Sequence, residues 1–326
     1  FTTNTLNAAS TVEYNGVVAQ TVFSTPAYGH LIISKSSTKT AGGNISIAGD
    51  LSVNTNAVYD LLSFTSNRTA AGGTFALASG TTLKLAANTG GQTGSNFPLN
   101  FTANTLNASS TVEYNGSVAQ TIFSSPNYGH LILSTGSTKT ASANLNIAGN
   151  LDINSTAVFD GDAFTYSIGG NWNNNVSPAA FLPGTSSVIF NGSAAQIIGG
   201  TAGSSFNKLT ISNSFVSAPQ VSITKPVVVL DVLAFGNVNG KTLHTGGNLI
   251  LKSTASATAR VADLSNAGTN SLNNITGDVS VERFINSGRK WRFLAVPTNS
   301  ATQTFKQSWQ EGWTNPDVNK DPNPGY

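Results

Sequence analysis

The sequence has no cysteine, no methionine and little charge. Only 9% of its 326 residues are Asp, Glu, Lys or Arg, against about 25% in an ordinary globular domain. The missing cysteine excludes disulfides and Cys-ligated zinc, so a long secreted chain of this kind must be stabilised by repetitive packing. The low charge is not typical of a cytosolic enzyme.

A strong excess of one charge and a long apolar run are also absent. The 16 basic and 14 acidic residues give a net charge of +2. The basic residues are scattered, which argues against nucleic-acid and anionic-membrane partners. No apolar run approaches the roughly 18 residues of a transmembrane helix, and the N-terminus lacks a signal-peptide pattern. We therefore expect no transmembrane segment, and a mature product or an excised fragment.

The hydrophobic residues, 39% of the chain, occur in short strings that alternate with small polar residues. Gly, Ser, Thr, Asn and Ala fill much of the rest of the sequence. Such alternating strings can bury one face of a strand, so the chain is expected to fold despite its low charge.

An internal repeat is the strongest signal in the sequence. Residues 1–60 align without a gap on residues 101–160, as FTTNTLNAASTVEYNG on FTANTLNASSTVEYNG illustrates. Roughly two positions in three are identical, which a repeated architecture explains and chance does not. A third, diverged copy begins at SSVIFNGSAAQII, where the matching residues are Val188, Phe190, Asn191, Gly192, Ala195 and Gln196.

The spacing of the copies predicts the length of one coil. Gly16 and Gly116 are 100 residues apart, whereas Gly116 and Gly192 are 76 apart, so the second unit is shorter by 24. If a stacked architecture loses only whole turns, one coil has about 24–25 residues and the units contain four and three coils. The apolar pairs Leu51/Val53, Phe75/Leu77 and Leu99/Phe101 recur at the same interval of 24.

These patterns predict an all-β fold, a β-solenoid (parallel β-helix) of about 11 coils before residue 276. Gly and Asn, which tolerate positive φ, would form the corners, and stacked asparagines such as Asn44/Asn144 and Asn54/Asn154 would form ladders. Asn-Gly between short strands is also a hairpin signal, so tandem β-sandwich repeats remain the alternative.

Four regions follow from the repeat and from a change of composition near Gly277. They are repeat unit A (1–100), repeat unit B (101–184), a degenerate unit C (185–276) and a β-rich C-terminal module (277–326) that looks truncated. Trp291, Trp309 and Trp313 lie in this module, where clustered aromatics indicate a small core or a cap.

The candidate chemical groups do not form a catalytic pattern. Glu13/Glu113, Asp60/Asp160 and His30/His130 are repeat equivalents and so mark recurring structural positions, while His244 stands alone. The closest pair of acids, Asp160 and Asp162 on either side of Gly161, is interpreted as a turn. Without paired carboxylates and a matching base, we expect no catalytic residues, no cofactor and no enzyme.

One weak metal site is suggested near the C-terminus. Asp317, Asn319 and Asp321 place three oxygen ligands at alternate positions, like the opening of a calcium loop. Pro322 stands where an EF-hand needs glycine, and no Glu follows. A Pro/Asn turn is therefore the alternative to calcium.

The phrases TVEYNG, NYGHLILS, NLNIAGNLDI, GGNWNNN and SSVIFNGSAAQII together resemble the giant β-helical surface proteins of Bacteroidota. The segment VSVERFINSGRKWRFLAVPT with SWQEGW is similar to the module that follows such helices. The resemblance covers nearly all of the chain and implies an extracellular, cell-surface location, type IX secretion and no catalytic residues.

The resemblance also implies a structural or adhesive role in attachment or cell-cell contact, in a filament or a homo-oligomer. The expected partners are flanking repeats of the same giant chain, cell-surface glycans or other cells. A glycan-binding, lectin-like module using Trp309 and Trp313 is the alternative function. A β-helix enzyme acting on polysaccharides is the third.

Overall fold

The computed structural model describes residues 6–236, 238–265 and 269–285. The chain divides into two units, Phe1–Arg283 and Phe284–Tyr326, and the description that follows concerns the first. Its described residues form strands and no helix. None of them therefore belongs to a helix long and apolar enough to cross a membrane.

The strands are short, as the alternating strings predict. Those of unit A are β1 (Thr11–Tyr14), β2 (Gln20–Val22), β3 (His30–Ile33), β4 (Thr38–Ala41), β5 (Ile45–Ile47), β6 (Leu51–Val53), β7 (Val58–Asp60), β8 (Ser66–Arg68), β9 (Gly72–Leu77) and β10 (Thr82–Leu85). Those of unit B are β11 (Phe101–Leu106), β12 (Thr111–Tyr114), β13 (Gln120–Ile122), β14 (His130–Leu133), β15 (Ser137–Ala141), β16 (Leu145–Ile147), β17 (Leu151–Ile153), β18 (Ala157–Asp160), β19 (Thr165–Ile168), β20 (Trp172–Asn174) and β21 (Phe181–Leu182). The remaining described strands are β22 (Ser187–Phe190), β23 (Gln196–Gly200), β24 (Ser204–Ile211), β25 (Val221–Ile223), β26 (Val227–Phe235), β27 (Thr242–His244), β28 (Leu249–Leu251), β29 (Arg260–Val261), β30 (Asn274–Thr276) and β31 (Val279–Val281).

The strands stack in parallel on three faces, which confirms the β-solenoid and excludes hairpin-built sandwiches. Face 1 is a five-stranded sheet (β1-β3-β6-β9-β11) followed by the β16-β19-β22 part of an eight-stranded sheet. In that sheet the second half of the long strand β24 pairs with β22, the second half of β26 pairs with β29, and the first half of β26 pairs with β28, which in turn pairs with β31. Face 2 is one twelve-stranded sheet from β2 to β30, and face 3 is formed by the pair β5-β8 and by β13-β15-β18-β21. The twelve strands of face 2 correspond to about 11 turns, as predicted.

Coil length varies more than the sequence spacing suggested. In face 2, Gln20 pairs with Lys39 and Thr242 pairs with Asn274, so the second of these turns contains many more residues than the first. The coil length expected from the repeats lies between the two. Leu51 pairs with Phe75 as predicted, but Phe101 pairs with Gly72 instead of Leu77. A solenoid tolerates such variation because extra residues are accommodated in the corners between strands.

The repeats do not contain whole numbers of turns, so the predicted four and three coils are wrong. Strand β1 lies in face 1, its repeat equivalent β12 lies in face 2, and the third copy's β22 lies in face 1 again. Unit A therefore spans four and one-third turns, and the interval from β12 to β22 spans three and two-thirds. Each face needs the same alternation of inward apolar and outward polar side chains, so one sequence fits any face.

The interior is filled by ladders of inward side chains. Along face 2, Leu83, Val112, Leu131, Leu151 and Trp172 lie one above another, and each is fully buried. Burying one such side chain contributes about 2 kcal/mol. The last strand, β31, pairs with β28, so the stack extends past residue 277, where the C-terminal module was expected to begin.

Asparagine side chains link neighbouring coils at several predicted positions. The Nδ2 of Asn175 donates to the Oδ1 of Asn154 (2.7 Å), and Oδ1 of Asn144 accepts from the backbone N–H of Thr165 (2.8 Å). The buried Oδ1 of Asn115 has no hydrogen-bond partner among the described residues.

Candidate functional site

The repeated acidic residues accept hydrogen bonds from their own turns or from the neighbouring coil. Oδ1 of Asp160 accepts from the N–H of Asp162 (3.1 Å), and Oδ1 of Asp60 accepts from the N–H of Leu62 (2.9 Å). The two aspartates thus form the turn expected for them. Glu113 accepts from the hydroxyl of Ser134 (2.6 Å), as Glu13 does from Ser34.

The repeated histidines also bind backbone. Nδ1 of His130 accepts from the N–H of Asn150 (3.0 Å), and Nδ1 of His30 accepts from the N–H of Asp50 (3.0 Å). Nδ1 of His30 also lies 3.3 Å from a carboxylate oxygen of Asp50. The third histidine, His244, contacts the hydroxyl of Thr276 in the next coil (3.2 Å).

No cluster with metal-binding composition occurs in the part of the chain that the structure describes: no three His, Cys, Asp or Glu side chains come together there. The calcium candidates Asp317, Asn319 and Asp321 lie outside that part, as do Trp291, Trp309 and Trp313. The remaining tryptophan, Trp172, is fully buried in the core, where its Nε1 donates to Ser204 Oγ (3.0 Å).

The most elaborate polar arrangement is one that sequence reasoning missed, and it recurs in all three copies. We call the segments 16–20, 116–120 and 192–196 the Gly-to-Gln loops. In each loop the glutamine Oε1 accepts from the backbone N–H of the glycine, at 2.8, 2.8 and 2.9 Å respectively. The glutamine thereby closes a tight loop at a corner of the solenoid.

In the second and third copies the same glutamine also binds the preceding coil. Nε2 of Gln120 donates to the carbonyls of Leu85 and Ala87 (2.9 Å each). Nε2 of Gln196 donates in the same way to Ile168 and Gly170. One buried side chain therefore connects its own loop with the coil before it.

A donor from the following coil completes each loop. Lys139, fully buried, donates through Nζ to the carbonyl of Gly116 (2.5 Å) and to Oε1 of Gln120 (2.9 Å). Lys39, also fully buried, donates to the carbonyl of Gly16 (2.7 Å). In the third copy Asn213 replaces lysine and donates to Oε1 of Gln196 (2.7 Å).

The two lysines are held by neutral acceptors. The ion pairs of the described residues involve neither of them. Burial lowers the pKa of Lys139 to about 8, and it also lowers the pKa of Lys39. Their replacement by an amide in the third copy indicates that the loop needs a hydrogen-bond donor there and not a charge.

A shallow groove lies beside the third loop. Its volume is about 330 Å³, and its lining includes Asn127, Asn146, Asn191 and Ser193. These side chains offer amide and hydroxyl groups, but the lining contains no aromatic ring on which a sugar could stack. The groove therefore adds little support for the glycan-binding alternative.

No protein-family model, curated protein or solved structure matches the chain. The resemblance to Bacteroidota surface proteins stays a prediction. Within the described residues, the hydrogen bonds of the Gly-to-Gln loops close each loop and connect neighbouring coils. These loops do not present a nucleophile, a base or a ligand set to solvent.

The buried lysines predict an unusual pH dependence of stability. Between about pH 8 and the ordinary lysine pKa of about 10.4, the unfolded chain binds more protons than the folded one, so stability rises with pH. Above about pH 10 it falls, because burial raises the pKa of Tyr114 to about 12 and also raises that of Tyr59. Urea titrations from pH 7 to 11 are expected to show a maximum near pH 10, on the order of 2 kcal/mol above the value at pH 7.

The control for this experiment is Lys139→Met, which removes one titrating ammonium group. Its stability is expected to change much less between pH 8 and 10. A wild-type stability that is constant or decreasing over that interval would contradict the lowered lysine pKa values.

Proposed function

We propose that the chain is a structural segment of a large extracellular surface protein or filament, one that spaces and supports sites of attachment or cell-cell contact. The observation that carries the proposal is the uninterrupted stacking of all three copies on a twelve-stranded sheet. A sheet of this kind grows by about 4.8 Å for each added coil. Each added coil therefore lengthens the solenoid.

The outward surface suits such a role. Its exposed side chains are largely Thr, Ser, Asn and Ala. The most exposed apolar groups are Val17, Val18 and Phe23 in the first coil, with Val216 and Leu272 farther along the chain. Many weak contacts of this type produce useful attachment only when they are multiplied along a fibre or across many chains. The cell-surface location, the type IX route and the adhesive part of the proposal rest on the family resemblance.

Surface labelling of cells tests the location. The chain contains no cysteine, so Val17→Cys, at a side chain that is 79% exposed, introduces a single reactive thiol. On intact cells that produce the parent protein, a membrane-impermeant maleimide is expected to label this variant to at least half of its level in lysed cells. The wild-type parent protein, without the introduced thiol, is the matched control, and its label is subtracted. Label that enters only after lysis would exclude a surface role.

A further inference from the structure

An asparagine precedes each Gly-to-Gln loop, so each loop starts at a chemically labile dipeptide. The sequence contains four Asn-Gly pairs, and three of them are Asn15-Gly16, Asn115-Gly116 and Asn191-Gly192. Asparagine is a thermolabile residue, and a following glycine has no side chain to obstruct attack by its own backbone nitrogen. Every copy of the repeat therefore carries a site at which the asparagine can lose its amide.

The reaction at such a pair has two steps. The glycine nitrogen gives up its proton to a base and attacks Cγ of the preceding asparagine. As the new N–Cγ bond forms, the Cγ–Nδ2 bond breaks, and the leaving nitrogen takes up a proton and departs as ammonia. Water then opens the cyclic imide at either carbonyl, which gives aspartate or isoaspartate. The first step requires a glycine N–H that is released from any other hydrogen bond.

In all three loops this N–H is engaged. The glutamine Oε1 accepts from it at 2.8, 2.8 and 2.9 Å, as described above. The asparagine side chains lack an equivalent restraint: within the described ranges, no hydrogen bond holds the side-chain amide of Asn15, Asn115 or Asn191. The glutamine is thus the group that withholds the attacking nitrogen.

The stacking of coils fixes glycine at this position in the second and third loops. A Cβ on Gly116 would lie 2.4 Å from the carbonyl oxygen of Ala86, and a Cβ on Gly192 would lie 2.2 Å from that of Gly169, both in the preceding coil. Another residue at either position would displace the backbone, so the fold retains the labile dipeptide. In the first loop the three nearest atoms all belong to Gln20.

We propose that the glutamine of each Gly-to-Gln loop protects the Asn-Gly pair at the start of the loop from deamidation. Its Oε1 holds the glycine N–H in a hydrogen bond that must break before the nitrogen attacks. Gln120 and Gln196 are themselves held by the carbonyls of the coil before them. Such protection goes beyond the proposed structural role and is independent of the cellular location, so a negative labelling result on cells leaves it unaffected.

Gln20→Ala tests the proposal most directly, because within the described residues this side chain accepts one hydrogen bond, from the N–H of Gly16. The purified chain and the variant are incubated in mildly alkaline buffer, and loss of the amide is followed by peptide mass spectrometry. Deamidation at Asn15 is expected to accelerate about five- to tenfold, the effect of losing one hydrogen bond to the attacking group. Asn115 and Asn191 keep their glutamines and serve as references in the same molecule.

The matched control is Gln20→Glu, in which a carboxylate oxygen still accepts from the glycine N–H. Asn15 should deamidate in this variant at the wild-type rate. An unchanged rate at Asn15 in Gln20→Ala would overturn the proposal. So would equal acceleration at all three asparagines, which would indicate general loosening of the solenoid, or equal acceleration in both Gln20 variants, which would show that the hydrogen-bond acceptor is irrelevant.

Discussion

Trp172→Ala is expected to lower the free energy of unfolding by about 3–5 kcal/mol, the range for truncating a large aromatic core residue. Trp172 is fully buried, and its ring lies 4.7 Å from that of Phe181 and 5.0 Å from that of Phe206. Alanine would leave a cavity that rigid strands of three adjacent coils can close only in part. It would also remove the donor to Ser204.

Urea denaturation followed by fluorescence of added probes, or by circular dichroism, measures this loss. Trp172→Phe keeps most of the ring contacts and should cost about 1–2 kcal/mol. Val216→Ala, at a side chain that is 88% exposed, should stay within about 0.5 kcal/mol of wild type. Equal stability of the Trp172→Ala and Val216→Ala variants would show that the aromatic cluster is not part of the core.

Gln120→Ala is expected to cost about 3–4 kcal/mol, since it removes partners from several buried groups at once. The carbonyls of Leu85 and Ala87 would lose a donor, and the N–H of Gly116 would lose its acceptor. The ammonium group of Lys139 would lose one of its neutral acceptors while staying buried. The two coils on either side of the loop should then separate more easily.

Gln20→Ala is the matched control, because among the described residues the same glutamine in the first copy makes no hydrogen bond to a preceding coil. Within the described ranges its side chain accepts one hydrogen bond, from the N–H of Gly16, and Lys39 is held by Gly16 and Ser37 instead. We expect a loss of about 1 kcal/mol or less. Hydrogen exchange should show opening around β12 and β13 in Gln120→Ala only; equal costs for both variants would refute the bridging role of Gln120.

The sequence was sufficient to predict the class of fold. Alternation within strings such as Thr111–Tyr114 places Val112 and Tyr114 on the inward side, and the repeat of the string predicts stacking. The number of turns in a unit was not accessible in the same way. Tyr14 and Tyr114 point inward from different faces, and nothing in the local pattern distinguishes one face from another.

The buried lysines were not predicted from the sequence, for a different reason. In Thr38-Lys39-Thr40-Ala41 the lysine shares the inward parity of Ala41, a signal that was visible in the sequence. Because lysine is almost never fully buried without a partner, the residue type predicts an exposed side chain, whereas the alternation predicts an inward one. The loop that compensates the lysine is closed by Gln20 on the neighbouring coil, and only the register reveals that the lysine and this loop meet.

The fractional turns of the repeats set the directions in which the Gly-to-Gln loops face. The first and third loops lie at the corner between faces 1 and 2, eight turns and thus about 38 Å apart, whereas the second lies at the corner between faces 2 and 3. A flat partner lying along one corner can touch the loops at Gly16 and Gly192 together and cannot reach the loop at Gly116. A bivalent partner of these loops would therefore bind the first and third at a fixed separation. The second loop faces a direction that differs from theirs by a third of a turn.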